Sequence, residues 1–154
     1  MSATGLDVFD KTLQATHTWL DQISTQIGPD RQLAWRVLGA VLRALRDRLP
    51  IGLAAHLGAQ LPLLVRGLYY DQWRPSEEPR HPMRSRDEFL AQVADGLSDI
   101  RPVNVAKATH AVFAVLDHYV DPGQIKKVQD ALPHEIRELW PETGREGRAA
   151  RSAA

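Results

Sequence analysis

The feature that most constrains this chain is a repeat in which Leu61-Pro62 returns as Leu132-Pro133. At this offset of 71 residues, residues 34–70 align without a gap to residues 105–141. Chance would give about two identities, at a residue frequency of roughly one in fifteen. Eight are present: Ala40/Ala111, Val41/Val112, Leu45/Leu116, Gly52/Gly123, Leu61/Leu132, Pro62/Pro133, Arg66/Arg137 and Leu68/Leu139. Because mainly apolar positions recur, the sequence predicts two similar halves packed on a common core.

Apolar residues recur every three or four positions along most of the chain, which is the helical period. Asp30 is the predicted N-cap of the clearest helix, which runs to residue 49. The predicted core stripes are Ala34, Val37, Leu38, Val41, Leu45 and Leu49; Phe9, Leu13, Thr16, Leu20 and Ile23; Phe89, Leu90, Val93 and Leu97; and Ala108, Val112, Val115, Leu116 and Tyr119. No segment alternates with period two. The predicted class is therefore all-α, a helical bundle of two similar tandem halves with about four helical segments each.

Each of the two prolines interrupts a helical pattern. Proline lacks a backbone N–H and costs about 3 kcal/mol inside a helix, but almost nothing at the first turn. The residue before it is also pushed out of helical geometry. We therefore predict that one helix ends at Leu61 or Leu132 and that another starts with Pro62 or Pro133. A single, sharply kinked helix is the alternative.

Composition shifts divide the chain into five segments. Residues 73–89 hold three prolines and four arginines, and the last residues lack an apolar stripe. The predicted segments are a disordered N-terminus at 1–4, a first helical repeat at 5–72, a Pro/Arg-rich linker at 73–84, a second repeat at 85–141 and a disordered tail at 142–154. We expect the two repeats to form one domain.

Several classes of function find no support in the sequence. The 154 residues include no cysteine, and 19 basic residues balance 19 acidic ones, so no net charge draws the protein to nucleic acid or anionic lipid. No run of 18 apolar residues could span a bilayer. None of the six histidines pairs at i, i+4, and no nucleophile elbow or phosphate loop occurs. We predict a cytoplasmic protein with no metal, no cofactor, no membrane contact and no catalytic residues, hence not an enzyme.

The run LRALRDRLPIGLAAHLGAQLPLLVRGLYYDQW resembles the bacterial domain-of-unknown-function family 2267. The resemblance extends over about residues 5–141 and is carried by Arg48, Leu49, Ala59, Gln60, Leu61, Pro62, Leu64, Arg66, Gly67, Tyr69, Tyr70 and Trp73. It implies an intracellular helical protein of about this length and brings no activity or catalytic residue with it. The second half departs from the motif, with Ala131 in place of Gln60 and Glu138 in place of Gly67. A site built from this motif would therefore exist once.

Consecutive tyrosines on a helix point about 100° apart, so Tyr69 and Tyr70 cannot both face one core. One of them should be partly exposed, and aromatic residues beside an arginine are enriched in interfaces. We predict that Arg66, Tyr69, Tyr70 and Trp73 form a surface for a protein partner or for a second copy in a homodimer. The predicted function is a protein–protein interaction or regulatory module.

Two alternatives stay open. In the first, arginines contact phosphate or an acidic partner, with Arg36, Arg43 and Arg46 as a stripe on one exposed helix face and with Arg74, Arg80, Arg84 and Arg86 in the linker. The protein would then be associated with nucleic acid or with the ribosome, although the zero net charge argues against it. In the second alternative, a pocket between the halves, lined by Gln60 and Arg66, binds a small molecule.

Overall fold

The computed structural model describes residues 3–75 and 83–142, which form eight α-helices and no strand. The helices are α1 (Asp7–Ile27), α2 (Arg31–Arg48), α3 (Ile51–Ala59), α4 (Leu63–Tyr70), α5 (Arg86–Asp95), α6 (Val105–Tyr119), α7 (Pro122–Asp130) and α8 (His134–Arg137). The predicted all-α class is confirmed. Residues 1 and 2 of the predicted disordered N-terminus, residues 76–82 of the linker and the tail after residue 142 lie outside the described residues.

Local chemistry explains where the first helices begin and end. Gly28 follows α1 with a φ of 112°, a conformation that favours glycine. Asp30 caps α2, because its carboxylate accepts a hydrogen bond of 3.0 Å from the Leu33 backbone N–H. Ser85 caps α5 in the same way, through the N–H of Glu88 at 3.1 Å.

Both Leu-Pro pairs separate two helices, so the predicted break is confirmed and the single kinked helix is wrong. In each case three residues intervene between the last residue of one helix and the first of the next. Pro62 and Pro133 are the N-caps, with ψ of 147° and 151°, rather than the first helical residues. The next helix therefore starts one residue later than predicted, at Leu63 and at His134. An extended ψ at the proline turns the chain before the helix begins.

The core lies where α2 and α6 cross, with α1 packed against both. The predicted stripes of α2 and α6 are buried, apart from Tyr119 at the end of α6. The helices that correspond at the offset of 71 residues also pack on each other, α2 on α6 and α3 on α7. The contact of α1 with α6 is matched by that of α5 with α2, as expected for two halves related by a pseudo-twofold axis. That the complete halves superimpose stays a prediction.

The predicted core stripe of α1 is wrong for its first half. Phe9 and Leu13 are exposed, whereas Thr16, Leu20 and Ile23 on the same face are buried. Helix length supplies the reason, because α1 has 21 residues and its partner α6 has 15. At 1.5 Å per residue these lengths are about 31 Å and 22 Å, so one end of α1 extends past the helix that covers the rest.

Candidate functional site

Tyr69, which was predicted to contact a partner, faces the core instead. Its side chain is wholly buried, and its hydroxyl donates a hydrogen bond of 2.7 Å to the carbonyl oxygen of Ala54. Burial raises the pKa of the Tyr69 hydroxyl well above its usual value. Because no surface of this ring is open, Tyr69 is removed from the predicted contact surface and fastens α4 to α3.

Tyr70 and Trp73 are half-buried and stack on each other with ring centroids 5.4 Å apart. The expectation that one tyrosine of the pair is partly exposed therefore holds for Tyr70. Its hydroxyl donates to the carbonyl of Ala55 at 3.2 Å. A Cβ at Gly58 would overlap this hydroxyl, so the close approach of α4 to α3 requires glycine there. These contacts give the aromatic pair a structural role.

Arg66 acts on the turn that precedes it. Its Nη2 donates to the carbonyl oxygens of Ala59 at 3.1 Å and Leu61 at 3.0 Å, which lie at and beyond the end of α3. Arg137 makes the equivalent bond to Leu132 at 3.0 Å. Carbonyls at the end of a helix lack partners within the helix, so each arginine stabilises a Leu-Pro turn.

The predicted arginine stripe of α2 does not form one exposed surface. Arg46 is buried, and its Nη1 donates to the carbonyls of Tyr69 and Asp71, both at 2.8 Å. Its placement on the exposed face was therefore wrong, because the guanidinium caps the end of α4. Arg36 and Arg43 do reach the surface, where carboxylates of Asp99 and Asp71 pair with them.

The structure describes three of the four predicted linker arginines. Arg74 and Arg84 are exposed, and Arg80 lies outside the described residues. Burial, and secondarily the nearby charge of Arg84, lowers the pKa of Arg48. Arg86 is also exposed, and its backbone N–H donates to the Glu135 carboxylate at 2.9 Å. Carboxylates next to several of these arginines weaken the field that phosphate would meet.

A different surface stands out by its apolar character. Seven of the eight large apolar side chains exposed in the described residues lie at the start of α1, the start of α4 and the end of α6. We call these seven residues the open surface: Leu6, Val8, Phe9, Leu13, Leu63, Leu64 and Tyr119. The eighth, Ile51, begins α3. Apolar exposure is therefore concentrated rather than scattered.

One hydrogen bond and one shared cleft link the helices that carry the open surface. The backbone N–H of Leu64 donates to the Thr12 hydroxyl at 2.9 Å, which docks the start of α4 onto α1. Val8, Leu63 and Tyr119 line one cleft of about 740 Å³ between these helices. Gln60 and Arg66, the two residues predicted to line a pocket, line this cleft as well.

The spacing along α1 shows what kind of surface this is. Leu6, Phe9, Leu13, Thr16, Leu20 and Ile23 follow one another at alternating intervals of three and four residues. This is the period of a seam between two packed helices. The last three of these residues lie in such a seam inside the bundle, and the first three are exposed. Sequence reasoning found the stripe but missed that half of it is open, because helical periodicity shows which face is apolar and not what covers it.

The described part of the chain contains no group of three or more His, Asp or Glu side chains placed to hold a metal ion. None of the helices at residues 3–75 and 83–142 combines the length and apolar character needed to cross a bilayer. The absence of catalytic residues stays an expectation.

A family model described as "Uncharacterized conserved protein (DUF2267)" matches residues 16–139. No curated protein matches the chain. The matched region contains Leu63, Leu64 and Tyr119 of the open surface, and it begins just after the exposed first half of α1.

Proposed function

We propose that this chain, which belongs to the DUF2267 family of uncharacterized conserved proteins, is a protein–protein interaction or regulatory module without catalytic activity. The observation that carries the proposal is the open surface. Leu6, Phe9 and Leu13 share one face of α1, and large exposed apolar patches on monomeric proteins mark contact sites. The contact surface proposed here is thus centred on α1 and the start of α4 instead of on Tyr70 and Trp73.

A second copy of the chain is the occupant that fits this surface. Phe9 and Leu13 continue the seam that α1 already forms with its own bundle, so they match a helix with the same spacing. Two α1 helices related by a twofold axis supply that match to each other, since each copy offers the same stripe. The formal net charge is zero, so two copies meet without long-range repulsion.

No observation favours the nucleic-acid alternative over this proposal. Arg36 and Arg43 are engaged by aspartates on the same molecule, and Arg46 is buried. Arg46 is therefore out of reach of a nucleic acid, and the aspartates weaken the positive field of the other two arginines at the distances over which a polyanion is attracted. Cytoplasmic localisation remains an expectation from the sequence.

The experiment is sedimentation equilibrium of the full chain and of two variants. We expect the unmodified chain to dimerise below about 100 μM, the range of a modest interface. Leu13→Lys places a charge in the seam and should weaken dimerisation at least about tenfold, which corresponds to about 1.4 kcal/mol. Circular dichroism should show that both variants keep the helical content and melting temperature of the parent.

Gln14→Lys is the matched control, because Gln14 is exposed on the same helix and points about 100° away from Leu13. It adds the same charge outside the seam and should leave the dimer intact. A chain that stays monomeric throughout this concentration range would overturn the proposed occupant. Equal effects of the two lysines would show that charge, and not the apolar stripe, controls association.

A further inference from the structure

A second cleft lies at the opposite end of α1 from its exposed first turns, between the α1–α2 turn and the segment that joins α5 to α6. Its volume is about 610 Å³. Pockets for small molecules have volumes of about 300–1,000 Å³ and combine an apolar lining with a few polar groups. None of the residues that line this cleft belongs to the open surface.

The lining of this cleft includes an apolar group that suits a flat ring. Leu20 and Leu33 are buried, while Trp35 and Ile100 are half-buried. An indole that is partly accessible beside aliphatic side chains offers a stacking surface for an aromatic ligand. Burying that surface under a ligand removes apolar area from water.

The polar part of the lining contains three arginines and two aspartates, and Arg31 is already paired with Asp21. Arg31, Arg36 and Arg101 line the cleft, against the carboxylates of Asp30 and Asp99. Three guanidinium groups on two separate segments therefore surround one space.

The present partners of these arginines leave donors for a ligand. Arg36 bonds to Asp99 through Nη2, and Nη2 of Arg101 lies 3.6 Å from Asp30 Oδ2. A guanidinium carries five N–H donors, so one carboxylate oxygen engages a minority of them. Both pairs are well exposed to solvent, and ion pairs of this kind contribute about 0–1 kcal/mol, so they can rearrange around a bound anion.

We propose that this cleft binds a small aromatic anion, with the ring against Trp35 and the anionic group between Arg36 and Arg101. An aromatic carboxylate and an aromatic phosphate monoester share this chemistry, because guanidinium binds both through paired hydrogen bonds. The site is separate from the open surface, so it is independent of the proposed self-association.

The test is calorimetric titration of the full chain with 2-naphthoate, 2-naphthyl phosphate and the neutral 2-naphthalenemethanol. We expect at least one of the two anions to bind with a Kd of about 1 mM or tighter and the alcohol to bind at least about tenfold more weakly. The stronger anion identifies the preferred group. The indole N–H signal of Trp35 should shift in NMR spectra of the complex.

Arg36→Gln and Arg101→Gln should each weaken binding of the preferred anion about tenfold while leaving the melting temperature unchanged. Arg43→Gln is the matched control, because Arg43 lies on α2 and pairs with Asp71 outside the cleft. It should bind like the parent. Failure of both anions to bind, equal binding of the alcohol, or shifts confined to the residues of the open surface would each overturn the proposal.

Discussion

Phe9 and Phe89 begin comparable apolar stripes, but Phe9 is exposed and Phe89 is buried. Phe89 on α5 is 0% exposed and Phe9 on α1 is 49% exposed. Phe89 packs beside Phe113, with ring centroids 6.0 Å apart, and α5 also contacts α8. Trp140, just after α8, stacks on the other side of the same cluster, 4.3 Å from Phe113. The second half thus closes over its phenylalanine, whereas the first half leaves Phe9 and Leu13 at the start of the equivalent stripe exposed.

The two Leu-Pro turns show the same difference, since the turn of the first half exposes apolar side chains and that of the second half exposes polar ones. Their backbones are similar, and Arg66 and Arg137 stabilise them through the same type of bond. The first helical residues after the prolines are Leu63-Leu64 in one turn and His134-Glu135 in the other. All four of these side chains are exposed.

A proline turn therefore forms equally well with polar residues at these two positions. The exposed leucines are not required by the fold, and neither is an exposed Phe9. Apolar groups that the backbone does not need and that lie in water support the proposed contact surface. The comparison of the halves thus separates architecture from the proposed contact surface.

The largest expected effect concerns Arg46, which donates hydrogen bonds to carbonyls at the end of α4. Arg46→Met should lower the free energy of unfolding by about 3 kcal/mol, because it leaves two carbonyls without charged hydrogen bonds that contribute about 1.5–3 kcal/mol each. In the second half Asp117 occupies the position that corresponds to Arg46, so no equivalent arginine is available for the carbonyls at the end of α8. Urea denaturation measures the loss.

Arg43→Met is the control for that measurement. Arg43 is half-buried and pairs with the exposed Asp71 at the surface, so its replacement should cost about 1 kcal/mol or less. Similar losses for the two variants would mean that the buried position of Arg46 has no special role in the first half.

The next prediction replaces the two residues that follow Pro62 with those that follow Pro133. The double change Leu63→His and Leu64→Glu should alter the free energy of unfolding by less than about 0.5 kcal/mol, because both side chains are exposed. Dimerisation should weaken about tenfold or more, since apolar contact area is lost. Sedimentation equilibrium and urea denaturation separate the two consequences.

The reciprocal change serves as the control. His134→Leu adds an exposed leucine to the second turn, where α5 offers no open stripe beside it. Association should stay at the parental level. If this variant dimerises more strongly, any exposed leucine suffices and the proposed surface has no specificity.

How much of this was predictable from the sequence depends on the type of residue. The α2 stripe, the Asp30 cap and the breaks at both prolines follow from local rules, which need only neighbouring residues. The exposure of Phe9 and the burial of Arg46 do not, because they depend on how far other helices extend and on which carbonyls lie nearby. A periodic pattern shows which face is apolar but not what covers it.

A third effect depends on pH and should come from the first half alone. Burial raises the pKa of Tyr69 in the folded chain above the value of about 10 for an unfolded tyrosine. Its protonated form therefore contributes stability that is fully present below pH 10 and is lost as pH rises through the folded pKa. Trp140 occupies the corresponding position in the second half and does not titrate.

Urea denaturation at pH 8 and at pH 11 measures this contribution. Tyr69→Phe should cost about 1 kcal/mol at pH 8, from the lost hydrogen bond to Ala54. Between the two pH values the parent should lose about 1.4 kcal/mol more than the variant, since pH 11 lies one unit above the unfolded pKa. Parallel losses would show that the phenol titrates equally in both states.

The smallest effect compares two glycines at matching positions of the repeat, Gly52 in α3 and Gly123 in α7. Both are exposed and are the second residues of their helices. A Cβ at Gly52 meets nothing within 4 Å, so Gly52→Ala should stabilise the fold by about 0.5 kcal/mol through helix propensity.

A Cβ at Gly123 would instead lie 3.0 Å from Oδ2 of Asp121, the oxygen that accepts the N–H of Gln124 and caps α7. Gly123→Ala gains the same propensity but presses on a cap worth about 1 kcal/mol, so we expect no gain or a small loss. Thermal unfolding resolves the difference. Equal stabilisation at both sites would mean that the Asp121 carboxylate moves aside without cost, and the two halves would then be alike at this position despite their different caps.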